Sequence, residues 1–431
     1  MNNKSLKNKI LIILLCTSIV VGAFFGGFFC AFFSYNKEIR QLNSVLRLIE
    51  KESIFIDDGL GEIKDGEIID AVVSTILKQD RYAEYYTKEE FETLKSTNKG
   101  EYKGIGLTLV SGSNVLYNVI GNSPAQKAGL IKGDIFISAS IKGETEFTTF
   151  SNEYTVLDFL NDNEEQTSFS FKITREGEFT ERIFDLSRQE YNASFVFYYD
   201  NNNAFAFAKD DSKKITKNEI PRQSEYNVVD NESAIIKLLS FSVGADEQFK
   251  SAVNYFKQSG KTKLILDLRS NGGGNMEVLE EICSFLIFNG GQKKSVVTYI
   301  HKKDEGPEVR STSKNNFMDY DDIVVLADFG SASATEALIG AMLYYGNEQR
   351  DNNFSYDNLI IVGDNEKAST FGKGIMQTTY SLLGGTAIKL TTAKIYWPDN
   401  QTCIHEKGIS TIPQNVVQDN HAISRAFSIL A

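Results

Sequence analysis

At 431 residues the chain is too long for one ordinary hydrophobic core, and a usual size of roughly 100 to 200 residues per domain predicts two or three domains. Hydrophobic residues make up 42% and charged residues 24%, a balance that excludes a largely disordered protein. The formal net charge of -12, without any basic stripe, argues against a nucleic-acid partner.

The first element is an apolar run from Ile10 to Phe33, preceded by Lys4, Lys7 and Lys9. A helix of this length can cross the hydrocarbon core of a bilayer, which is about 30 Å thick. A cleaved signal peptide with Val21-Gly22-Ala23 as its exit is the alternative, but apolar sequence continues well beyond a signal-peptide core of about 7 to 15 residues. We therefore favour an uncleaved membrane anchor within residues 1–35, with the lysines on the cytoplasmic side.

Residues 36–95 follow as a predicted helical neck. Ile68, Val72 and Ile76 recur at helical spacing, and Thr87 with Glu90 forms a capping box that opens a second short helix ending near Leu94. Nothing in this stretch suggests chemistry. It predicts ordinary packing or a contact in a homodimer.

From about residue 96 to residue 190 the pattern changes to short strands. An apolar strand begins at Gly104-Ile105-Gly106-Leu107, Ser123-Pro124-Ala125 caps a short helix ending at Gly129, and Gly133-Asp134 turns into another strand. At these residues the stretch resembles a PDZ domain of the bacterial protease type. The resemblance implies that backbone N–H groups of Gly104, Ile105, Gly106 and Leu107 bind a peptide's terminal carboxylate while the peptide adds as a strand.

The remainder, 191–431, reads as an α/β domain after a polar, asparagine-rich stretch at 192–224 that we interpret as a connector or surface hairpin. Phe249, Val253 and Phe256 predict one helix, and Leu279, Ile282 and Leu286 predict the next. Buried strands are predicted at 264–268, 324–327 and 360–362.

Three short segments of this domain could carry chemistry. The first, residues 266–274 (LDLRSNGGG), is a strand that ends in a glycine turn, whose backbone N–H groups can bind an anion. The second, residues 330–336 (GSASATE), joins a strand to a helix and places small residues around a serine. The third is FGKG at 371–374, with a glutamine four residues beyond its lysine. Each alone has a structural explanation as a turn or a helix cap.

Together and in this order, the segments resemble the carboxyl-terminal processing peptidases, over roughly residues 56 to 417. The resemblance implies that Ser333 is the nucleophile, Lys373 the general base and Gln377 the residue that orients the lysine. It also implies oxyanion-hole donors at the N–H groups of Ala334 and of a glycine in the 272–274 turn, which we assign to Gly273. The polar stretch 346–358 lengthens the spacing between Ser333 and Lys373 relative to the family and is predicted to be a surface loop.

The chemistry of the residues is consistent with these roles. A serine hydroxyl needs a positioned base, and the three histidines lie in no recognisable triad segment, so a lysine is the natural substitute. A neutral lysine requires burial that lowers its pKa by about 3 units, equivalent to about 4 kcal/mol. No HExxH or paired-histidine spacing occurs, so neither a metal nor another cofactor is expected. Two cysteines lie in the apolar run, and a disulfide between Cys283 and Cys403 is an alternative that their spacing does not favour.

The predicted fold class is thus multidomain α/β, with an N-terminal membrane helix, a helical neck, a PDZ-like β-rich domain and a crotonase-like α/β protease core. The implied function is a serine endopeptidase that cuts proteins with free, apolar C-termini. Two alternatives stay open. One is a catalytically silent scaffold that binds C-terminal tails, and the other is an acyl-CoA enzyme of the crotonase type, which the anchor and the PDZ-like insertion disfavour.

The anchor makes a prediction about topology. With the lysines before Ile10 held in the cytoplasm, the body from about Ser34 onward should lie outside the cytoplasmic membrane. Protease added to intact cells or protoplasts should therefore digest it. Complete protection, or release of a soluble form that begins near Phe24, would contradict an uncleaved anchor.

Overall fold

The structure is a computed structural model that describes residue 75 and residues 80–431, apart from 99–100, 111, 176, 178–179, 211, 289, 302–305, 314–315, 347–353 and 366. The predicted anchor and the first neck helix lie outside the described residues. Among those that are described, no helix has the length and apolar character that a membrane span requires. From Asp80 to Ala431 the chain forms one compact unit.

The described chain begins with a strand and a helix, β1 (Glu84–Tyr86) and α1 (Lys88–Asn98). The predicted capping box is present, since Thr87 Oγ1 accepts from the Glu90 N–H at 3.3 Å and the Glu90 carboxylate accepts from the Thr87 N–H at 2.8 Å. Strand β1, however, pairs with residues 387–389 in a sheet of the C-terminal domain. The end of the segment predicted as a helical neck is therefore part of that sheet, a pairing that local sequence does not encode.

Residues 101–192, which we call the inserted segment, have a core of their own. Their elements are β2 (Glu101–Gly104), β3 (Leu107–Leu109), β4 (Leu116–Val119), α2 (Pro124–Ala128), β5 (Ile135–Ile141), β6 (Thr148–Thr149), α3 (Val156–Asp162), β7 (Ser168–Thr174), β8 (Arg182–Ser187) and β9 (Gln189–Asn192). Phe136, Phe159, Phe169 and Phe171 fill the core. Strands β2 and β9 pair with each other, so the two ends of the segment leave the rest of the chain side by side. The predicted helix after Ser123 and the turn at Gly133 are both confirmed.

The remaining elements build two sheets. In chain order they are β10 (Val196–Tyr199), β11 (Ala204–Lys209), β12 (Ile215–Glu219), β13 (Ser233–Leu238), α4 (Ala245–Gln258), β14 (Lys263–Asp267), α5 (Met276–Leu286), β15 (Ser295–His301), β16 (Glu308–Ser311), β17 (Asp322–Asp328), α6 (Ala334–Gly346), β18 (Leu359–Val362), β19 (Ile375–Ser381), β20 (Ala387–Tyr396), β21 (Val416–Val417) and α7 (Ala422–Leu430). The larger sheet has the order β12-β11-β10-β13-β14-β17-β18-β21 and is parallel from β13 onward. The smaller sheet has the order β1-β20-β15-β16, with β19 also paired to β20.

The parallel strands are buried on both faces, which explains their continuous apolar sequence. In β14, Leu264 and Leu266 pack in the core that contains α4, α5 and α6, whereas Ile265 packs in the core that contains α7. The helices and strands predicted from residues 249–362 are thereby confirmed.

The stretch 192–224 corrects the sequence interpretation. It was expected to be a connector or surface hairpin, but it forms β10, β11 and β12 of the larger sheet. Tyr198 and Phe207 are buried in one core, and Tyr199 packs in the other. The intervening asparagines and lysines lie at turns and at the edge strand, so the segment's average polarity hides a buried centre.

The order of the strands brings two of the three motif segments together. Strands β14 and β17 are parallel neighbours, so their carboxyl ends meet at one edge of the sheet, where binding sites of α/β sheets commonly lie. The glycine turn after β14 and the serine turn after β17 therefore face each other. Cys283 and Cys403 are both free thiols, so the disulfide alternative is not realised.

Candidate active site

Ser333 occupies the turn between β17 and α6 in a strained conformation. Its φ of +59° is unusual for a residue with a side chain and costs on the order of 1 to 3 kcal/mol. The neighbours Ala332 and Ala334 are buried while Ser333 itself is partly exposed. The turn is held from below by Ser331, whose hydroxyl donates to the Leu268 carbonyl at 2.8 Å. A strained turn that presents one hydroxyl is the arrangement expected of a nucleophile.

The glycine turn lies directly against this serine. A Cβ placed on Gly273 would lie 2.7 Å from the carbonyl oxygen of Ala332 and 2.9 Å from the Ser333 Cβ, and Gly273 has a φ of +97°. Only glycine allows this approach. Asn271 locks the two turns together, because its carbonyl accepts from the Ala332 N–H at 3.0 Å and from the Thr335 hydroxyl at 2.8 Å.

The two predicted oxyanion donors differ in whether their N–H groups already donate a hydrogen bond. The Ala334 N–H, at the first residue of α6, donates to no acceptor within the described part of the chain. The Gly273 N–H donates to the Asn271 side-chain oxygen at 3.0 Å. Gly273 therefore lies beside Ser333, but its N–H could stabilise an oxyanion only by sharing or exchanging that bond.

Lys373 lies on the loop between β18 and β19, above residues 405–408. A Cβ on Gly372 would lie 2.8 Å from the Gly408 nitrogen, and one on Gly374 would lie 2.6 Å from the His405 nitrogen, so the FGKG glycines permit a close backbone contact. The Lys373 side chain is partly buried. Burial lowers the pKa of Lys373, the nearby Lys389 lowers it further, and Glu336 opposes both effects.

Ser333, Lys373 and Gln377 line one cleft of about 540 Å³, together with the glycine turn. The structure thus brings these three predicted site residues together. Within the described residues, however, no hydrogen bond joins the Ser333 hydroxyl to the Lys373 amine. The long 346–358 stretch does not separate the two loops. A Cβ on Gly346 would lie 1.8 Å from the Phe354 carbonyl oxygen, so the chain returns to α6 almost where it leaves it.

The predicted tail-binding loop does not line this cleft. Gly104 ends β2 and Leu107 begins β3, while Ile105 is buried in the core of the inserted segment. Gly106, with φ +87°, packs so closely on Ser123 that a Cβ there would lie 2.1 Å from the Ser123 Cβ. The loop thus rests on the start of α2.

Glu336 connects the turn that carries Ser333 to the loop that carries Lys373, a role that sequence reasoning missed. Its carboxylate is fully buried and accepts from the N–H groups of Ser333 at 2.9 Å, Gly372 at 2.7 Å and Lys373 at 2.8 Å. It also accepts from the Thr370 hydroxyl. The available signal was a carboxylate in the otherwise apolar helix α6, because such a charge is rarely buried without partners.

A strained serine, a partly buried lysine with a lowered pKa and a turn rich in backbone N–H groups are the components that serine-type hydrolysis on an α/β core requires. The comparison with known families is more specific. Residues 232–411 match the peptidase family S41, and the relatives of this chain include a protease named for carboxyl-terminal processing.

Individual relatives extend the similarity beyond this domain. The chain is 28% identical over 354 residues to the "Carboxy-terminal processing protease CtpB" of Bacillus subtilis (strain 168), which covers 79% of this chain and 60% of that protein. It is 26% identical over 392 residues to the "Probable CtpA-like serine protease" of Staphylococcus aureus (strain N315), covering 88% of this chain and 67% of that one. Among solved structures, the photosystem II D1 C-terminal processing protease is 20% identical with a TM-score of 0.46, covering 82% of this chain and 81% of that one.

Glu336→Ala should destabilise the protein strongly, because it leaves three N–H groups and one hydroxyl without their acceptor. At about 1 to 3 kcal/mol per orphaned buried group, a loss of about 3 kcal/mol or more in the free energy of unfolding is expected. Glu336→Gln should lie between Glu336→Ala and the wild type, since one amide oxygen can still accept. Urea denaturation measures both.

Glu277→Ala is the matched control, because Glu277 also lies in the first turn of a helix but is exposed. It should change the free energy of unfolding by no more than about 0.5 kcal/mol. A Glu336→Ala protein as stable as this control would refute the connecting role.

Proposed function

We propose that the chain is a serine endopeptidase that cleaves proteins near their C-termini through a Ser333/Lys373 acyl-enzyme mechanism, with the PDZ-like inserted segment recognising the substrate tail. The observation that carries the proposal is the placement of Ser333 and Lys373 in one cleft, on two loops that share the Glu336 carboxylate. The aligned part spans only 60% of the Bacillus subtilis relative, and activity and substrate class are therefore proposed on the residues of this chain.

In the proposed reaction, neutral Lys373 takes the proton of the Ser333 hydroxyl as the oxygen attacks the scissile carbonyl carbon. The negative charge that develops on the carbonyl oxygen is stabilised by the Ala334 N–H and, after exchange of its bond to Asn271, by the Gly273 N–H. Lys373 then gives its proton to the leaving amine. A water molecule, deprotonated by the same lysine, then attacks the acyl carbon, and the lysine returns the proton to the Ser333 oxygen as its bond to that carbon breaks.

The cleft supports lysine in this role for two reasons. Burial favours the neutral amine, which is the form that can accept a proton. No histidine lines the cleft in the described part of the chain. The missing hydrogen bond between Ser333 and Lys373 requires only that the two side chains approach when substrate binds, as catalytic contacts often tighten in the substrate complex.

Tail recognition is supported by the free edge of β3. Within the described residues β3 pairs only with β4, so its other edge can accept a peptide strand. Gly104 to Gly106 lead into that edge and Leu107 begins it, so the peptide's last residue would lie there. Val110 and Leu157 are both exposed apolar residues of the same segment, which is consistent with an apolar tail.

A catalytically silent tail-binding scaffold is the second candidate. The absent bond between Ser333 and Lys373 and the occupied Gly273 N–H are the observations that favour it. Retention of serine, lysine and glutamine in one cleft favours the enzyme, and the two candidates differ in whether any peptide is cleaved.

Ser333→Ala and Lys373→Ala should each reduce peptide cleavage by roughly 10⁴-fold or more without unfolding the protein, because nucleophile and base act as a unit. Lys373→Arg should be equally inactive, since arginine does not give up its proton. Gln377→Ala should be milder. Cleavage of a library of C-terminal peptides, read by mass spectrometry, measures all four.

The pH dependence of peptide cleavage follows from the direction in which the pKa of Lys373 is shifted. A base must be deprotonated, so activity should rise with pH through the pKa of Lys373, and the lowered pKa puts this rise below the ordinary value of 10.5. The exposed Lys394 provides the control, and Lys394→Ala should keep full activity. Full activity in folded Lys373→Ala protein, or loss of wild-type activity on adding a chelator, would contradict the Ser333/Lys373 mechanism.

Amidation of a peptide's C-terminus should weaken its binding to the Ser333→Ala protein by about tenfold or more, because hydrogen bonds to a charged group contribute about 1.5 to 3 kcal/mol. Fluorescence anisotropy with paired free-acid and amidated apolar peptides measures the difference. Equal affinity for the two forms would reject the carboxylate role of the Gly104 to Leu107 loop.

A further inference from the structure

A short segment at the start of the described chain, residues 80–82, reaches the candidate active site. Asp80 fixes it there, because its carboxylate accepts from the Thr391 N–H at 3.0 Å and from the Thr391 hydroxyl at 3.0 Å. The same carboxylate accepts from the Tyr82 N–H at 3.1 Å. Tyr82 is thus attached through Asp80 to strand β20.

The attachment point is directly opposite Gln377. In the ladder between β19 and β20, Thr391 is the cross-strand partner of Gln377, beside a bulge between Met376 and Gln377. The Gln377 amide nitrogen donates to the Tyr82 carbonyl oxygen at 2.5 Å. A carbonyl oxygen can only accept, so the amide must turn its nitrogen to Tyr82 and its own oxygen to the other side. The Tyr82 carbonyl therefore fixes the orientation of the Gln377 amide, which lines the same cleft as Lys373.

Tyr82 also contacts the lysine. The Lys373 amine lies 5.4 Å from the centre of the Tyr82 ring, near the outer limit of about 6 Å for a cation–π contact. At this distance the attraction is weak, but the ring takes up volume beside the partly buried amine. On its other side the ring lies 6.3 Å from the His405 ring.

The other charged and titratable groups around Lys373 come from three elements. Glu336 faces it from α6 and Lys389 faces it from β20. Lys389 is itself paired with Glu84 of β1 and bonded to Tyr86 of the same strand. These groups all keep their side chains when only Tyr82 is changed, so the charges around Lys373 are the same in every Tyr82 variant.

We propose that Tyr82 is a positioning residue for the Ser333/Lys373 reaction, whose carbonyl orients Gln377 and whose ring shields Lys373 from water. The consequence for catalysis rests on the proposed function, but the effect on Lys373 does not. In this proposal Tyr82 completes the active site, although it precedes Gln377 by 295 positions and the inserted segment lies between them in the sequence.

Two substitutions of Tyr82 separate the ring from the hydroxyl. Tyr82→Phe keeps the ring and the carbonyl and removes only a hydroxyl that accepts from the exposed Arg81 at 2.7 Å. Tyr82→Ala removes the ring and frees the backbone around the carbonyl. Tyr380→Ala is the matched control, because Tyr380 is a 47% exposed tyrosine on β19, three residues beyond Gln377.

The first measurement needs no peptidase activity. In a Ser333→Ala background, the rate at which acetic anhydride acylates Lys373, followed by mass spectrometry across pH, gives the pKa of that lysine. The pKa should stay low in Tyr82→Phe and Tyr380→Ala and should rise by on the order of 1 unit in Tyr82→Ala, because water enters beside the amine.

The second measurement uses the active protein. At neutral pH, Tyr82→Ala should lower kcat/KM by about tenfold or more, since each unit of pKa reduces the neutral fraction of Lys373 tenfold. The loss should shrink as pH rises, and Tyr82→Phe should restore the wild-type profile. A purely structural role would lower the rate equally at every pH.

The outcomes are distinguishable. A folded Tyr82→Ala protein whose Lys373 pKa is unchanged or lower overturns the inference, whether or not the protein cleaves peptides. A raised pKa in a chain that cleaves nothing supports the positioning role and refutes the proposed function instead. Should Tyr82→Ala not fold, Asp80→Ala releases the same segment by removing both oxygens that accept from Thr391, and an unchanged Lys373 pKa in that variant equally overturns the inference.

Discussion

The buried carboxylate of Glu336 is the contact on which the geometry of the candidate site depends. Its two oxygens accept from the backbone of Ser333 on one side and from Gly372 and Lys373 on the other. A charge in the core is tolerated only when hydrogen bonds replace its lost hydration, and four donors do so here. Since these donors belong to the two loops that carry the proposed nucleophile and base, satisfying the charge and aligning the site are the same requirement.

Close backbone packing is the second requirement. Gly273 lies against Ser333, and Gly372 and Gly374 lie against residues 405–408, at distances that no side chain would allow. The parallel order of β14 and β17 brings the first pair of turns to one sheet edge. The smaller sheet contributes Tyr86 of β1, Gln377 of β19 and Lys389 of β20 to the lining of the cleft. The site is thus assembled from both sheets.

The inserted segment is held close to the turn that carries Ser333. Its ends are joined by the β2–β9 ladder, and Tyr102 stacks on Tyr191 there with ring centres 5.7 Å apart. From β4, Tyr117 reaches the loop before Ser333, since a Cβ on Gly330 would lie 2.6 Å from the Tyr117 hydroxyl oxygen. Lys132 lies 3.6 Å from Asp419, which also binds Arg269 at the end of β14. The inserted segment therefore packs against the turns that follow β14 and β17 in the described chain.

The sequence by itself determined the features that local rules encode. The capping box at Thr87, the helix after Ser123 and the apolar strands that lead to the three motif segments were predictable from spacing and residue type. The order of the motifs was also sufficient to indicate the family and the residues Ser333 and Lys373. The buried strands within 192–224 were not predicted, because polar residues at the turns between them lower the average hydrophobicity of the stretch.

Only the tertiary structure decided the contacts between residues that lie far apart in the chain. Glu336 was visible in its motif, but its partners at Gly372 and Lys373 lie 36 and 37 residues away. Tyr82 carries no local signal, because its importance arises from a bond to a residue 295 positions later. Whether the Gly273 N–H is free depends on where the Asn271 side chain turns. Such pairings depend on the packing of the two sheets, which periodicity and propensity, acting over a few residues, do not specify.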